Sequence, residues 1–206
     1  MLAALRLEVD DLALNRGGYR IASKIAFRAG PGEYVEVTGA NGTGKSTLLR
    51  ALAGLIRPAE GRVLLSSNLG PMDREDRAIS THLLGHQDGL KPNLPVREHA
   101  RFWQGLLGGG DAMAVLAKAG LGRMAERPVR TLSAGQRRRL ALTRLMIAPR
   151  ALWLLDEPGA SLDVGGRAWL LGLVSDHLGN GGMVVAAVHE PIGVTPTARV
   201  ALEGGK

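Results

Sequence analysis

A glycine-rich segment at residues 39–46 constrains the fold of this chain more than any other feature. The segment fits the pattern G-x-x-x-x-G-K-[ST] at every fixed position, and it consists of Gly39, Ala40, Asn41, Gly42, Thr43, Gly44, Lys45 and Ser46. The run YVEVT precedes it, and the sequence STLLRALAGLI continues from its last residue with apolar residues at helical spacing. In a strand, loop and helix of this kind, the loop N–H groups converge on phosphate oxygens at the positive end of the helix dipole. The segment therefore predicts a phosphate-binding loop.

The side chains at the end of the loop indicate how a nucleotide would be held. We expect Lys45 to reach the β- and γ-phosphates of ATP and the Ser46 hydroxyl to ligate Mg²⁺, and we place Thr47 in the same nucleotide-binding set. A tight glycine turn with an incidental surface lysine is the alternative. The strand before the loop and the helix after it favour the phosphate-binding interpretation.

Two acidic residues follow the apolar run ALWLL at residues 151–155. A metal bound beside a phosphate requires a carboxylate at the end of a neighbouring buried strand, and Asp156 has that place. We expect Asp156 to hold Mg²⁺ directly or through water, and Glu157 to orient or deprotonate an attacking water. Two acids after a strand are also common at a solvated strand end, so this prediction depends on the phosphate loop.

The remaining pattern predicts an α/β fold. The segments LRLEVDDLALN and KIAFRAG alternate apolar and polar residues, as strands of an antiparallel edge sheet do. Continuous apolar strands alternate with helical segments such as RAWLLGLVSDHL, which indicates a parallel sheet buried on both faces. Helical patterns after the proline-rich stretch LKPNLPVRE predict a helical insert. We expect one domain over 1–206, with an ATPase core at 1–87 and 136–206 and a helical subdomain at 88–135.

The composition excludes several kinds of site and leaves the partner open. The 206 residues contain no cysteine, which excludes disulfides, thiolate metal sites and cysteine nucleophiles. No apolar stretch approaches the ~18 residues that cross a bilayer, and the N-terminus lacks a signal-peptide pattern, so we expect membrane contact only through partners. The net charge of +7 is compatible with nucleic acid, an anionic membrane surface or phosphate ligands. We expect an exposed helix face to carry the run Arg137, Arg138 and Arg139.

A five-residue segment between the two predicted sites resembles the LSGGQ signature of the ABC ATPases. Directly before a helical pattern, it reads Leu132, Ser133, Ala134, Gly135 and Gln136. Further marks occur in the order of that family, with Gln87 in the place of the Q-loop, residues 161–163 in that of the D-loop and His189 in that of the switch histidine. The resemblance covers nearly the whole chain. It implies a P-loop NTPase fold with a RecA-like parallel-sheet core, an antiparallel β edge and a helical ABC signature subdomain.

The resemblance also implies roles for these residues. His189 would act with Glu157 and Lys45 in hydrolysis, and Gln87 would sense Mg²⁺ and the γ-phosphate. In ABC ATPases the signature contacts the γ-phosphate of a nucleotide bound to the opposite protomer, so the family implies a head-to-tail homodimer with two composite ATP sites. The signature residues placed in that contact are Ser133, Gly135 and Gln136. Alanine at position 134 departs from the usual glycine, and it carries a cost if the position needs a positive φ or a close backbone approach.

The expected adenine contact also departs from the family pattern. ABC ATPases usually stack the base on an aromatic residue at the place that Arg16 takes here. A guanidinium plane can stack on a base as well, so we assign the contact to Arg16. Tyr19 lies nearby in the sequence and is the alternative.

The segments LGHQ, LSAGQ and LWLLDEP, with the short stretch after the final apolar strand, resemble one group within the family. They are similar to the ATP-binding subunits of the bacterial haem exporters of cytochrome c maturation. This resemblance implies an ATPase docked on integral-membrane permease subunits at the cytoplasmic face of the inner membrane. ATP hydrolysis would there free a haem-loaded chaperone.

Two alternatives stay open at the level of the sequence. One is an ATPase subunit that energises a different permease, such as one for lipoprotein or amino acids. The other is a soluble ABC ATPase that acts on nucleic acid or ribosomes, which would use the same ATP site and suit the positive charge. Such proteins usually carry two ATPase cassettes or a long insert, so we expect no nucleic-acid partner.

Overall fold

Strands and helices alternate along residues 2–203, which a computed structural model of the chain describes. The strands are β1 (Arg6–Arg16), β2 (Tyr19–Ala29), β3 (Tyr34–Thr38), β4 (Glu60–Ser67), β5 (Gly70–Pro71), β6 (Thr81–Leu84), β7 (Leu152–Asp156), β8 (Met183–Ala187) and β9 (Ala198–Ala201). The helices are α1 (Lys45–Leu52), α2 (Arg74–Ser80), α3 (Val96–Leu107), α4 (Ala112–Lys118), α5 (Ala134–Ile147) and α6 (Val164–Gly179). Short 3₁₀ turns at Gly122–Met124 and Val129–Thr131 lead into α5.

Five of the strands form a parallel sheet in the order β6-β7-β8-β3-β9. One face of this sheet packs against α1 and the remaining strands, and the other face packs against α5 and α6. Because β7 and β8 are covered on both faces, every residue of these two strands is buried, as their continuous apolar sequences predict. The carboxyl ends of β7, β8 and β3 therefore lie side by side at one edge of the sheet.

The other four strands form an antiparallel sheet in the order β2-β1-β4-β5, which confirms the predicted antiparallel edge. Gly17 and Gly18 join β1 to β2 in a two-residue turn that pairs Arg16 with Tyr19. Both glycines have a positive φ, as tight hairpin turns of this kind require. In β2, the Ile21 side chain packs against the phosphate-binding loop at Gly44. This packing places the hairpin tip beside the loop.

The predicted helical insert contains α3 and α4, which pack against α5. Their apolar faces form a cluster with the middle and the end of that helix, including Val96, Ala100, Leu116, Leu140 and Ile147. Asp111 caps α4 by accepting a hydrogen bond from the Met113 N–H at 2.7 Å. From this packing we infer that residues 88–135 form the helical subdomain. None of the helices between residues 2 and 203 is long and apolar enough to span a bilayer.

Two features of the fold differ from the sequence prediction. The elements β4, β5, α2, β6 and β9 carry too weak a periodic signal to be predicted from the sequence. The expectation that the whole arginine run lies on an exposed helix face is wrong for Arg138, whose residue surface is only 3 % exposed. This residue faces the strand ends, where backbone carbonyls accept its guanidinium N–H groups.

Two histidines are buried beside the strands of the parallel sheet. His177 of α6 stacks on Trp153 of β7, with ring centroids 3.7 Å apart and an angle of 7° between the planes. His82 of β6 lies with Nε2 2.7 Å from the Ala148 carbonyl oxygen. Burial disfavours the charged form and lowers the pKa of each imidazole from its usual 6.5 to about 4. Both rings are therefore neutral in the folded protein near pH 7.

We expect the free energy of unfolding to decrease as the pH falls from about 6.5 to about 4. In this window the unfolded chain protonates both imidazoles while the folded chain keeps them neutral, so protons favour unfolding. The pKa shift of each histidine corresponds to about 3 kcal/mol at the acid end of the window. Urea unfolding of the wild type and of His177→Gln between pH 8 and 4.5 measures the effect.

The variant should lose stability less steeply below pH 6.5 than the wild type does. The upper end of the range, near pH 8, is the internal control, because His177 is almost wholly uncharged in both states there and the two stability curves should run parallel. Curves that stay parallel down to pH 4.5 would contradict the assignment of acid sensitivity to His177.

Candidate functional site

The phosphate-binding loop leaves β3 and enters α1, whose first residue is Lys45. Gly44 precedes it with a φ of 103°, a left-handed conformation that a side chain would strain. The Lys45 ammonium is buried inside the loop, where Nζ donates to the Gly39 carbonyl at 2.6 Å and to the Ala40 carbonyl at 3.2 Å. The loop therefore wraps its backbone around a fixed positive charge at a helix N-terminus, which is the arrangement of an anion site.

A cavity of about 300 Å³ opens where this loop meets the ends of β7 and β8. It collects most of the residues that the sequence predicts for one nucleotide site, and its lining includes Arg16, Asn41, Gly42, Gly44, Lys45, Ser46, Thr47, Asp156, Glu157 and His189. Residues that are far apart in the chain meet here because parallel strands end at the same edge of their sheet. The cavity is open to solvent and brings a lysine, a hydroxyl and two carboxylates together.

Glu157 and His189 are held against each other at the ends of adjacent strands. The His189 backbone N–H donates to Glu157 Oε2 at 3.2 Å, and His189 Nε2 lies 3.5 Å from Glu157 Oε1. The same Nε2 lies 2.8 Å from Asn41 Oδ1 of the phosphate loop. The same nitrogen lies 3.4 Å from Lys45 Nζ, so the imidazole adjoins the ammonium inside the phosphate loop as well. The histidine therefore joins the carboxylate to the loop.

The Glu157 carboxylate combines a strained backbone with an unoccupied acceptor. Its φ of 48° is uncommon for a residue with a side chain, and such conformations persist where the surrounding structure enforces them. The Oε1 atom is buried and accepts no hydrogen bond from the described part of the chain. The Glu157 carboxylate lines the cavity beside the phosphate loop, which is the place that a general base for an attacking water requires.

Asp156 occupies the last position of β7 and is 5 % exposed. Ser46 lines the same cavity from the first turn of α1. A carboxylate and a hydroxyl supply the hard oxygen ligands that Mg²⁺ prefers, and Mg²⁺ sites usually complete their coordination with phosphate oxygens and water. These two residues therefore fit a magnesium ion held between the protein and a nucleotide.

The signature residues lie outside this cavity, at the N-terminus of α5. The Ser133 Oγ accepts from the Gln136 N–H at 3.1 Å, and the Ser133 N–H donates to Gln136 Oε1 at 2.9 Å. This reciprocal pair is a capping box, and it fixes the start of a 14-residue helix. Ser133 itself is exposed. The structure therefore does not bring Ser133, Gly135 or Gln136 to the nucleotide cavity of their own chain.

The two middle positions of the signature differ in their need for glycine. Ala134 is the first residue of α5 and has no positive φ, so its methyl group causes no backbone strain. At Gly135, a Cβ atom would lie 2.9 Å from the Ser161 carbonyl oxygen, closer than such contacts occur in proteins. The departure from the usual glycine at position 134 is therefore tolerated, whereas the glycine at 135 permits a close approach of the D-loop backbone.

A second contact joins the signature helix to the D-loop. Arg139 Nη2 donates to Asp163 Oδ1 at 3.0 Å, and the same carboxylate accepts from the Gly166 N–H at 2.7 Å as the N-cap of α6. The bonds from Gly166 and from Arg139 lower the pKa of the exposed Asp163 carboxyl. The start of α5 and the start of α6 are thus connected through the segment that follows Glu157.

Gln87 does not line the nucleotide cavity, although the sequence analysis places it at the metal. The residue before it, His86, lines the cavity and also lines a smaller one that Asp88 and Arg138 border. The sequence pattern contains His86 only as part of the segment LGHQ and predicts no role for it. No local pattern distinguishes two neighbouring polar residues after a strand, because their directions depend on the turn that follows β6.

The hairpin tip separates the two candidates for the adenine contact. Arg16 lines the cavity, whereas Tyr19 is 80 % exposed and is absent from its lining. Arg16 and Tyr19 are paired directly across the turn, so both lie at the tip of the hairpin. The position of Arg16 agrees with its assignment to the base.

The sequence also shows similarity to known proteins. Residues 22–160 match the ABC transporter family. The chain is 45 % identical over 193 residues to the cytochrome c biogenesis ATP-binding export protein CcmA of Rhodopseudomonas palustris (strain HaA2), across 93 % of this chain and 95 % of that protein. It is 43 % identical over 206 residues to the protein of the same name from Rhizobium meliloti (strain 1021), across 97 % of this chain and 99 % of that protein.

A solved structure shows the same fold at low sequence identity. The putative ABC transporter ATP-binding protein from Pyrococcus furiosus has a TM-score of 0.79 and is 20 % identical, covering 96 % of this chain and 97 % of that one. The predicted P-loop NTPase fold, with its parallel core and antiparallel edge, is confirmed.

We expect Arg16→Ala to weaken ATP binding about three- to tenfold, because stacking of a guanidinium on a base contributes on the order of 1 kcal/mol. Tyr19→Ala is the matched control on the paired position of the hairpin, and it should change the affinity less. Titration of a fluorescent ATP analogue into both variants measures the two affinities. A larger loss in Tyr19→Ala would contradict the assignment to Arg16.

Proposed function

The chain belongs to the ABC transporter family, and on that premise we propose that it is the ATP-hydrolysing subunit of a haem export complex in c-type cytochrome biogenesis. The main support is the meeting of the phosphate loop, Asp156, Glu157 and His189 around one cavity. Relatives named as cytochrome c biogenesis ATP-binding export proteins extend over nearly the whole chain, which supports the specific pathway.

The residues of the loop bind and orient the triphosphate. Loop N–H groups and the N-terminus of α1 face the β- and γ-phosphates, and Lys45 adds a positive charge fixed by loop carbonyls. Ser46 and Asp156 would hold Mg²⁺. When bound, Mg²⁺ neutralises negative charge on the phosphates and so favours attack on the terminal phosphorus. Arg16 stacks against the base at the outer end of the cavity.

Glu157 and His189 act on the attacking water. The Glu157 carboxylate accepts a hydrogen bond from the water and aligns it for in-line attack, while its Oε2 atom is held by the His189 N–H. His189 keeps its imidazole between Glu157 and Asn41, next to the expected position of the γ-phosphate. Gln87, beside His86 at the mouth of the cavity, senses the metal when its segment moves inward.

The second half of each ATP site comes from another copy of the chain. Ser133, Gly135 and Gln136 lie at the N-terminus of α5, outside the cavity of their own chain, and Ser133 is exposed. In a head-to-tail homodimer each signature closes on the γ-phosphate bound by the other copy, where a helix N-terminus stabilises the charge. Neither copy then holds a complete site alone.

The proposed complex places this subunit at the cytoplasmic face of the inner membrane. Permease subunits in the membrane bind the helical subdomain, and closure of the ATPase dimer moves them. The chain reaches the membrane through these partners. The substrate passes through the permease, so the chemistry of the ATP site is the same whichever permease is attached, and the pathway must be tested in cells.

In cells, we expect Lys45→Ala to abolish the maturation of c-type cytochromes and to leave haem attached to the periplasmic chaperone. The loss of the phosphate-binding charge should remove hydrolysis, typically by more than about a hundredfold. Arg50→Ala is the matched control, since Arg50 lies on the same helix with an exposed side chain. Haem staining of membrane fractions measures the cytochromes. Normal cytochrome levels in Lys45→Ala cells would reject the pathway and leave the other permeases or a soluble role.

For the composite site, we expect Ser133→Arg to abolish hydrolysis by placing a bulky side chain where the partner's γ-phosphate must approach. Ser133→Thr keeps a capping hydroxyl on α5 and should stay near the wild-type rate. Defined heterodimers of Lys45→Ala with Ser133→Arg contain one site with both halves intact, so they should recover activity that neither parent has. Wild-type hydrolysis by the Ser133→Arg homodimer would show that each site lies within one chain.

A further inference from the structure

Arg138 in the second turn of α5 joins three segments that the ATP site uses. Its Nη2 donates to the carbonyls of Asp156 and Glu157, both at 2.7 Å, and its Nε donates to the Pro158 carbonyl at 3.2 Å. The third nitrogen, Nη1, donates to the Gly85 carbonyl at 3.2 Å and to Asp88 Oδ1 at 2.8 Å. All three guanidinium nitrogens are therefore used.

The burial of this charge is costly unless it is well compensated. The Arg138 side chain is 4 % exposed, and its carboxylate partner Asp88 is 26 % exposed. Replacing a buried ion pair by apolar residues often leaves the stability of a protein unchanged or increases it. The burial of such a pair is therefore weak evidence that its role is to stabilise the fold. The planar fork of arginine instead offers several donors in fixed directions, which suits the simultaneous holding of several carbonyls.

The carbonyls that Arg138 holds belong to the turn that orients Glu157. At this residue the backbone has a φ of 48°, and such a conformation requires neighbours that enforce it. Arg138 bonds the carbonyl before the turn, the carbonyl of Glu157 and the one after it. A small rotation of this turn would move the carboxylate away from the His189 N–H and from the phosphate.

The opposite side of the guanidinium holds the segment that contains Gln87. Gly85 and Asp88 flank His86 and Gln87, and both accept from Nη1. The signature residue Ser133 caps the N-terminus of the helix that carries Arg138. One side chain therefore connects the start of the signature helix, the Glu157 turn and the Gln87 segment.

We infer that Arg138 is a positioning residue for hydrolysis, which sets the direction of the Glu157 carboxylate and ties it to the Gln87 segment. The inference rests on the proposed role of Glu157 as the base. Arg138 does not line the nucleotide cavity, so its loss should lower kcat and leave ATP binding nearly unchanged. A displacement of about 1 Å at a reacting group costs about a hundredfold in rate, and partial loosening costs less.

The test compares Arg138→Gln with Arg144→Gln in the full chain purified together with its permease subunits. Arg144 is the matched control, since it lies on the same helix, donates to the Leu83 carbonyl of β6 and packs over the Trp103 ring at 5.3 Å. We expect Arg138→Gln to lower kcat at least about tenfold with less than about a threefold change in the KM for ATP. Arg144→Gln should lower thermal stability but keep kcat within about twofold of wild type.

Amide hydrogen exchange gives a readout that does not depend on activity. The Glu157 N–H donates to the Ala187 carbonyl and the Ala160 N–H donates to the Glu157 carbonyl, so both report the state of the turn. These amides should exchange faster in Arg138→Gln than in the wild type or in Arg144→Gln. Unchanged exchange at both amides, or a kcat within twofold of wild type, would overturn the inference.

Two further variants keep the test decisive. If Arg138→Gln fails to fold, Arg138→Lys carries the same test, because an ammonium lacks the planar fork and should also lower kcat about tenfold. Glu157→Gln is measured alongside. Wild-type hydrolysis by Glu157→Gln would refute the proposed base, whereas loss of hydrolysis there with full activity in Arg138→Gln would refute the positioning role alone.

Discussion

The site depends on one geometric constraint, which is that neighbouring parallel strands end at the same edge of their sheet. β7, β8 and β3 are adjacent, and each continues directly into a segment with a chemical role. Successive side chains of a strand point to opposite faces of the sheet, so the register of each strand decides which way its last residues face. A short strand that slipped by one residue would turn Asp156 away from the loop. The positions of the site residues therefore depend on the register of the strands in the aliphatic core.

The residues that follow the strands are held by a small set of polar contacts rather than by further packing. His189 joins Glu157 to Asn41, and Arg138 joins the Glu157 turn to the segment after β6. The Arg138 guanidinium is buried, and a buried charge is costly when it lacks partners, so its bonds restrict the carbonyls that accept them. These contacts restrict the conformations of the loops at the site more than the conformations of surface loops are usually restricted.

Residues in contiguous motifs were predictable from the sequence, and residues defined by tertiary direction were not. The phosphate loop, the two acids and the signature each occupy a few neighbouring positions with a local reason for their residue types. Arg138 lies in a run of three arginines, and only the packing of α5 on the strand ends decides which of them is buried. His86 lines the cavity and Gln87 does not, and the turn after β6 decides which of the two faces it. The weak strands β4 and β9 are recognisable only by their pairing partners.

The two contacts between the signature helix and the D-loop differ in their physical nature. The approach of Gly135 to Ser161 is steric, whereas the bond between Arg139 and Asp163 is an ion pair with an exposed carboxylate. Dissolved salt screens exposed charges within about 10 Å at 0.1 M and leaves steric contact unaffected. Motion of one signature helix would therefore still push the D-loop of its own chain in concentrated electrolyte. Communication between the two halves of a dimer would then persist at ionic strengths that dissociate the ion pair.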